Sequence, residues 1–256
     1  MIEITNVCKS FDNRMVLKGI SAHFEKGKTN LIIGESGSGK TVLLKSIVGL
    51  MDIDCGQILF DGRDTLTMTF EEQKILRQEI GMVFQGGALF DSLRVDENVR
   101  FPMDMFTTMS MKEKRKRIDF CLDRVNIRDA HKLYPSEISG GMRKRVAIAR
   151  AIALKPKYLF CDEPNSGLDP VTSILIDNLI KEITKEIDIT TIINTHDMNS
   201  VMEIGENILF IADGEKCWVG NNTKILTTQN TKLNSFVFAS PFSKGIREFK
   251  QQHEEK

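Results

Sequence analysis

Four short stretches carry residue types that can handle a phosphate. Gly34-Glu35-Ser36-Gly37-Ser38-Gly39-Lys40-Thr41 follows the apolar run Leu31-Ile32-Ile33 and precedes the apolar-periodic stretch from Val42 to Leu50. Strand, glycine loop and helix, in that order, is the setting a phosphate-binding loop needs. The glycines let successive backbone N–H groups converge on one point at a helix N-terminus, where the dipole also favours an anion. Lys40 adds a point charge for the outer phosphates, and the Thr41 hydroxyl is a ligand for Mg2+. A second stretch, Tyr158-Leu159-Phe160-Cys161-Asp162-Glu163, is an apolar strand ending in two carboxylates. Alone, that ending reads as a helix cap. Beside a phosphate loop it suits phosphoryl transfer to water. Asp162 holds Mg2+ through its water shell, and Glu163 orients or deprotonates the attacking water. Ser139-Gly140-Gly141 opens another helix and so makes a second anion-favouring terminus. His196 follows the strand Thr190–Thr195, at the edge where open α/β sheets bind ligands. A lone histidine, by itself, is more often structural.

The elements that must position these groups follow from the apolar spacing. Residues 2–33 show short alternating runs, Ile2/Ile4 and Ile20/Ala22/Phe24, with turns at Asp12-Asn13 and Lys26-Gly27. They predict an antiparallel β layer ahead of the loop. Phe11 sits in a turn of this layer, where an aromatic either stacks on a base or plugs the core. Asp54-Cys55-Gly56 leads into a hairpin strand from Gln57 to Gly62. A charged helix is expected from Glu71 to Ile80, then a strand Gly81–Phe84 ending at Gln85. Residues 88–135 are rich in Met, Phe and charge and predict a helical insert. One helix lies near Met111–Val125, with Ile118, Leu122 and Val125 on one face. Its run Lys112-Glu113-Lys114-Arg115-Lys116-Arg117 reads first as a solvated face and second as a phospholipid-headgroup contact. A helix from Met142 to Leu154 follows Ser139-Gly140-Gly141. Asp169-Pro170 starts another by N-cap and first-turn proline, with Ile176, Leu179, Ile180, Ile183 and Ile187 as its buried stripe. Strands Asn207–Ala212 and Lys216–Val219 flank the turn Asp213-Gly214. From about Asn221 the pattern weakens, and Phe236–Phe242 is an isolated apolar patch.

Composition narrows the classes of function. The 256 residues are 41% hydrophobic and 27% charged, enough for one α/β domain with an insert. Net charge is zero, so no global field draws the chain to nucleic acid or anionic lipid. Only 7% of residues are aromatic, which argues against a base-stacking surface for single strands. Cys8, Cys55, Cys121, Cys161 and Cys217 are scattered, with no CxxC pair, and read as reduced thiols outside any metal site. The N-terminus reads as a strand and not a signal peptide. No apolar run nears the ~20 residues of a bilayer span, so any membrane part belongs to another chain.

Taken together, Gly34–Thr41, Gln85, Ser139-Gly140-Gly141, Phe160-Cys161-Asp162-Glu163, Ser166-Gly167-Leu168-Asp169 and His196 resemble, in order and spacing, the nucleotide-binding subunit of ABC transporters. The resemblance covers about residues 1–220. It implies an α/β P-loop NTPase fold: a RecA-like core, an N-terminal antiparallel β layer and a helical subdomain inserted at about 86–137. Residues 221–256 then form a C-terminal extension that contacts a dimer mate or partner, or folds back on its own chain. The resemblance implies an ATPase acting as a head-to-tail homodimer with two ATP molecules sandwiched between subunits. Gly34, Glu35, Ser36, Gly37, Ser38, Gly39, Lys40 and Thr41 of one copy face Ser139, Gly140 and Gly141 of the other. By the same resemblance Phe11 stacks on adenine, and Gln85 reaches Mg2+ and the attacking water. Glu163 is the general base, Asp169 lies in the inter-subunit loop, and His196 contacts the γ-phosphate.

One departure narrows the resemblance. The usual Leu-Ser-Gly-Gly-Gln reads Ile138-Ser139-Gly140-Gly141-Met142, and a thioether cannot replace an amide's hydrogen bonds. With Phe84–Leu93, Val95 and Glu97-Asn98-Val99, this is similar to ATPases of the Mla type, which serve phospholipid transport in bacterial envelopes. Such a subunit sits on the cytoplasmic face of the inner membrane with a permease and an MCE-domain lipid-binding protein. Phe90, Phe101, Met103 and Met105 are then candidates for the groove that takes the permease's coupling helix, or ordinary core. The alternative is the ATPase of a cell-division-type membrane complex that moves no substrate.

Overall fold

The computed structural model describes residues 1–238. It is built from two sheets and the helices that cover one of them. The first sheet is antiparallel. Strand β1 (Ile2–Phe11) pairs with β2 (Arg14–Phe24) across the Asp12-Asn13 turn. β1 also pairs with β4 (Cys55–Phe60), which carries the short β5 (Arg63–Asp64). The expected β layer is therefore present in the order β2-β1-β4-β5. Its pairing also corrects the reading of the cysteines. Opposing registers bring Cys8 of β1 against Cys55 of β4 with Cα atoms 5.0 Å apart, joined as a disulfide. A separation of 47 residues hides that contact from any local motif.

The second sheet starts with β3 (Thr29–Ile33), which ends at the glycine loop and feeds α1 (Lys40–Val48). After β5 come α2 (Phe70–Gln78) and β6 (Ile80–Val83). The helix ends two residues earlier than expected because Ile80 is the first residue of the strand. A Thr69/Glu72 capping box fixes its start. The segment before the next strand is helical: α3 (Val95–Phe106), α4 (Met111–Arg124), a 3-10 turn Pro135–Glu137 and α5 (Gly140–Ala151). Then follow β7 (Tyr158–Asp162), α6 (Pro170–Glu186), β8 (Thr190–Thr195), α7 (Met198–Ile204), β9 (Asn207–Ala212) and β10 (Glu215–Gly220). The sheet order is β10-β9-β3-β8-β7-β6, parallel throughout except for the β9–β10 hairpin.

Alternation along these strands explains the layering. Leu31 and Ile33, Leu159 and Cys161, Ile193, and Ile208 and Phe210 point to a core shared with α3 to α7. Ile32, Phe160, Ile192, Leu209 and Ile211 point the other way, into a core shared with α1 and the antiparallel sheet. Both faces are covered, so these strands read as near-continuous apolar runs. In α6 the expected stripe holds at Ile176, Leu179, Ile180 and Ile183, but Ile187 is 40% exposed because it lies past the last turn as the C-cap. The basic run of α4 is only partly a solvated face. Lys114 is buried with its ammonium 2.8 Å from Asp104, and Arg117 donates to the carbonyls of Ile152 and Ala153. Met103 is fully buried core, whereas Phe90, Phe101 and Met105 are exposed. Beyond β10, a 3-10 turn at Lys224–Leu226 and α8 (Thr231–Val237) fold back on this chain: the Phe236 ring stacks 5.5 Å from Phe210 and Phe238 is buried. The rest of the apolar patch and the end of the extension, 239–256, lie outside the described residues.

Candidate nucleotide-hydrolysing site

The parallel strands β3, β8, β7 and β6 end side by side, and the predicted site residues leave from those ends. At β3, the loop from Gly34 to Gly39 turns into α1. A Cβ on Gly34 would run into the Ile211 carbonyl, and Gly39 caps α1 at φ 104°, a left-handed conformation open to glycine. The loop's free N–H groups therefore sit at the positive end of α1. Lys40 is nearly buried, and its ammonium donates to the Gly34 and Glu35 carbonyls at 2.8 and 2.9 Å. Burial pulls its pKa below the ordinary lysine value, against the opposing pull of Glu163 and Asp162.

At β7 and β8, parallel register places Asp162 beside Asn194. The Asn194 amide donates to Asp162 Oδ1 at 2.6 Å and to Thr41 Oγ1 at 3.0 Å, while the Thr41 hydroxyl donates to the same Asp162 oxygen at 3.3 Å. Thr41 and Asp162, expected as metal ligands, are thus held together by a residue the sequence reading passed over. One residue further, Glu163 takes φ 46°, and its N–H turns to the Asn194 carbonyl at 2.9 Å. Its carboxylate lies between the Gln85 amide (Nε2–Oε2 2.9 Å) and His196 (Nδ1–Oε1 2.8 Å). A carboxylate only accepts, so His196 carries its proton on Nδ1 in this contact. Gln85 also reaches the Ser166 hydroxyl at 3.3 Å, and Lys144 of α5 contacts the Gln85 carbonyl. Glu163, Gln85 and His196 lie together at the strand ends that also carry Thr41 and Asp162, the residues that the family resemblance named.

The remaining predicted residues fall at the rim or elsewhere. Phe11 ends β1, is 41% exposed, and lines a cleft of about 1000 Å³ together with Glu35, Ser36, Gly37 and Ser38. Ser139 is the N-cap of α5, accepting from the Met142 N–H at 3.2 Å, and Gly140 and Gly141 form the first turn. Asp169 caps α6 by accepting from the Thr172 N–H at 3.0 Å. The two helix starts pack on each other, since a Cβ on Gly141 would strike the Thr172 methyl. Among the described residues no hydrogen bond joins Ser139–Gly141 to the 34–41 loop of the same chain. Met142 packs half-buried against the helical core instead of projecting a polar group.

No local pattern points to the buried polar hub that lies between these loops. The Asn165 amide donates to the Ser200 hydroxyl at 2.8 Å and lies 3.3 Å from Asp177 and 3.4 Å from Asp197. It links the loop after Glu163 to the residue after His196. Burial pushes the Asp177 carboxyl up to about 6, with the Asp197 charge adding to the rise.

The donor set fits a nucleotide and a hard divalent cation. Ser38 Oγ and Asn194 Oδ1 are buried with no hydrogen-bond partner among the described residues. Ser38 belongs to the loop that opens α1, and the Asn194 amide already contacts the Thr41 hydroxyl and the Asp162 carboxylate. No group of three or more His, Cys, Asp or Glu among the described residues could hold a metal alone.

Comparison with known proteins agrees with this geometry. A family profile described as ABC transporter matches residues 17–166, more than half of the chain. The chain is 36% identical over 237 residues to the intermembrane phospholipid transport system ATP-binding protein MlaF of Haemophilus influenzae, covering 93% of this chain and 90% of that one. It is also 38% identical over 232 residues to the methionine import ATP-binding protein MetN of Clostridioides difficile, covering 91% and 72%. Among solved structures, a dimeric ATP-binding cassette in a post-hydrolysis state bound to ADP and Pi is 32% identical, with a TM-score of 0.78 over 87% of this chain and 99% of that one. With the phosphate loop, the paired carboxylates and the α/β cassette fold all in place, the chain belongs to the ABC transporter family as its ATP-binding, ATP-hydrolysing subunit.

Proposed function

We propose that this ATPase drives phospholipid movement in the cell envelope, docked on the cytoplasmic face of the inner membrane against a separate permease that works with an MCE-domain lipid-binding protein. The observation that carries the substrate is the similarity to the phospholipid-transport relative over nearly the whole of both chains. Met142 in place of the usual glutamine and the stretch from Phe84 to Val99 support it. No helix among the described residues is long and apolar enough to cross a membrane, so the permease supplies the path. Phe90 and Phe101, exposed and in contact at 4.6 Å between ring centres, form the apolar floor on which a coupling helix docks; Met105 extends it, and Met103 supports it from the core.

Two copies act head to tail. The 34–41 loop of one copy binds a triphosphate whose other side meets Ser139, Gly140 and Gly141 of its mate, with the Asp169 loops between them. The adenine lies against Phe11. Thr41, Asp162 and Gln85 would hold Mg2+, which would supply positive charge to offset that of the phosphates. Glu163 takes the proton of the attacking water. The Gln85 amide, by donating to Glu163 through nitrogen, leaves its oxygen to reach both the Mg2+ position and that water. His196, on the far side of the carboxylate, fixes its direction and faces the γ-phosphate. Lys40 exchanges two loop carbonyls for phosphate oxygens, which are stronger acceptors.

Affinity purification from the native membrane, followed by reconstitution, tests the proposal. The expected result is a co-purifying permease and MCE-domain protein, with ATP-dependent transfer of labelled phospholipid between vesicles. Recovery with an amino-acid-binding protein and ATP-dependent methionine uptake would assign the substrate of the other relative instead. Recovery with division or peptidoglycan factors, and no transfer, would replace transport by mechanical signalling.

A further inference from the structure

Helix α5 presents Ser139 and its glycines at one end, but one of its side chains turns inward to the opposite task. Lys144 is only 7% exposed, and its ammonium makes no salt bridge among the described residues. Nζ contacts the main-chain oxygen of Gln85 and lies 3.5 Å from the main-chain oxygen of Glu163. Those residues follow the ends of neighbouring strands. The parallel register of β6 and β7 pairs Val83 with Cys161, and the same offset would set Gln85 opposite Glu163. The ladder stops before that point. Glu163 adopts the left-handed conformation and gives its N–H to Asn194 on β8. Nothing in the sheet then fixes the distance between the peptide units of Gln85 and Glu163. Lys144 spans the gap.

A buried ammonium without a carboxylate partner is costly, so packing alone does not account for a lysine here. A leucine or methionine would fill the same volume. What lysine adds is several N–H donors on one atom, able to serve carbonyls from two different strands at once.

We propose that Lys144 is a positioning residue for hydrolysis: it clamps the Gln85 and Glu163 peptide units to each other and to α5, and so holds the Glu163 carboxylate between Gln85 and His196. The clamp rests on the reading of Glu163 as base. It also joins, through one helix, the anion-binding end that serves the mate's nucleotide to the carboxylate that serves the chain's own. Movement of α5 on closure of the dimer reaches Glu163 directly through Lys144.

Steady-state ATPase kinetics of the full-length protein, with ATP affinity from a fluorescent analogue and the thermal midpoint, test the clamp in Lys144→Met and Lys144→Arg. The expected result for Lys144→Met is a kcat lower by ~10- to 100-fold, the scale of a small misplacement of a catalytic group. Nucleotide affinity should stay within ~2-fold, the mark of an interaction needed only for the chemical step. Lys144→Arg, which keeps a donor cation, should restore kcat to within ~5-fold. If Lys144→Met does not fold, Lys144→Gln, with one amide and no charge, enters the same comparison with the same expected split. A kcat near wild type in the neutral variant, equal losses in kcat and affinity, or a folded Lys144→Arg as slow as the neutral variant would each overturn the clamp. Glu163→Gln run beside them separates the two readings: if it keeps wild-type turnover, the base assignment fails, whatever Lys144 does.

Discussion

The buried carboxylate of Asp177 gives a prediction that can be worked to a number. Asp177 is 2% exposed and its pKa is raised from 3.8 to about 6, first by burial. Hydrogen bonds from Ser200 and Asn165 pull it down, and the Asp197 and Glu203 charges push it up. The folded protein therefore binds this proton more tightly than the unfolded chain. Between the two pKa values the native state holds more protons, so stability falls as pH rises through that window and is level above it. The shift of about 2 units corresponds to at most ~3 kcal/mol at pH 7, at ~1.4 kcal/mol per unit. Asn is nearly isosteric and cannot ionise. Asp177→Asn should therefore stabilise the protein at pH 7 by ~1–3 kcal/mol, and by ~1 kcal/mol less at pH 5, where the native carboxyl is already mostly protonated. Equilibrium urea unfolding of both proteins at pH 5, 6 and 7 reads the difference directly. The change with pH is the cleaner quantity, because any altered hydrogen bond in the variant is common to all three conditions. A variant that is less stable than wild type at pH 7, with a difference that does not vary with pH, would refute the assignment of a raised pKa to this group.

Other perturbations act on the site itself. Glu163→Gln should bind ATP but turn it over at least ~100-fold more slowly, and accumulate a closed dimer visible by light scattering in ATP. Turnover within a few-fold of wild type would remove Glu163 as base. Lys40→Ala loses the charged partner of the outer phosphates and should weaken ATP binding by ~10- to 100-fold in a titration with a fluorescent analogue, with hydrolysis lost. Asn194→Ala removes the 2.6 Å donor to Asp162 and the link to Thr41. It should cost ~1–3 kcal/mol of stability by urea unfolding and weaken Mn2+ binding in the presence of ATP by electron paramagnetic resonance. Gly34→Ala forces a methyl against the Ile211 carbonyl and should cost at least ~2 kcal/mol with loss of nucleotide retention, measured by unfolding and filter binding.

How far these features could be read in the sequence depended on whether their cause was local. The glycine loop, the Asp169 cap and the strand carrying Asp162 are each specified within a few residues and stand where the spacing placed them, except that the strand stops at Asp162 and Glu163 turns out of it. The meeting of Gln85, Glu163 and His196 followed from family spacing, since three separate strand ends have no local signal for one another. What went unread needs strand order. Asn194 matters because β8 lies beside β7 in register with Asp162, and in the sequence it is one polar residue at the end of an apolar run. Lys144 lies between two other cations, Arg143 and Arg145, so nothing local marks it, and its burial depends on where α5 packs. Cys8 and Cys55 needed the β1–β4 pairing. The boundary error had a simpler cause: Ile80 closes the charged helical pattern but also opens the apolar run after it, and its pairing with Tyr158 places it in the strand.

The hydrogen bonds of the site also bear on how binding and hydrolysis are separated. Lys40 is satisfied by two carbonyls of its own loop, so a phosphate must outcompete contacts that form within the chain. The ammonium is already desolvated, and its exchange of partial for full negative charge therefore costs little further solvation while gaining a stronger acceptor. Binding energy at the loop is available in this chain alone. Glu163 differs. Its carboxylate is braced by Gln85 and His196, which follow β6 and β8, and its backbone by Asn194 of β8 and Lys144 of α5, four directions that must agree before it can serve as the proposed base. Of these, α5 alone also reaches toward the mate in the proposed dimer. In the proposed dimer a nucleotide would make its loop contacts on one subunit, whereas the aim of the base would answer to the position of α5, the one brace that the second copy also touches.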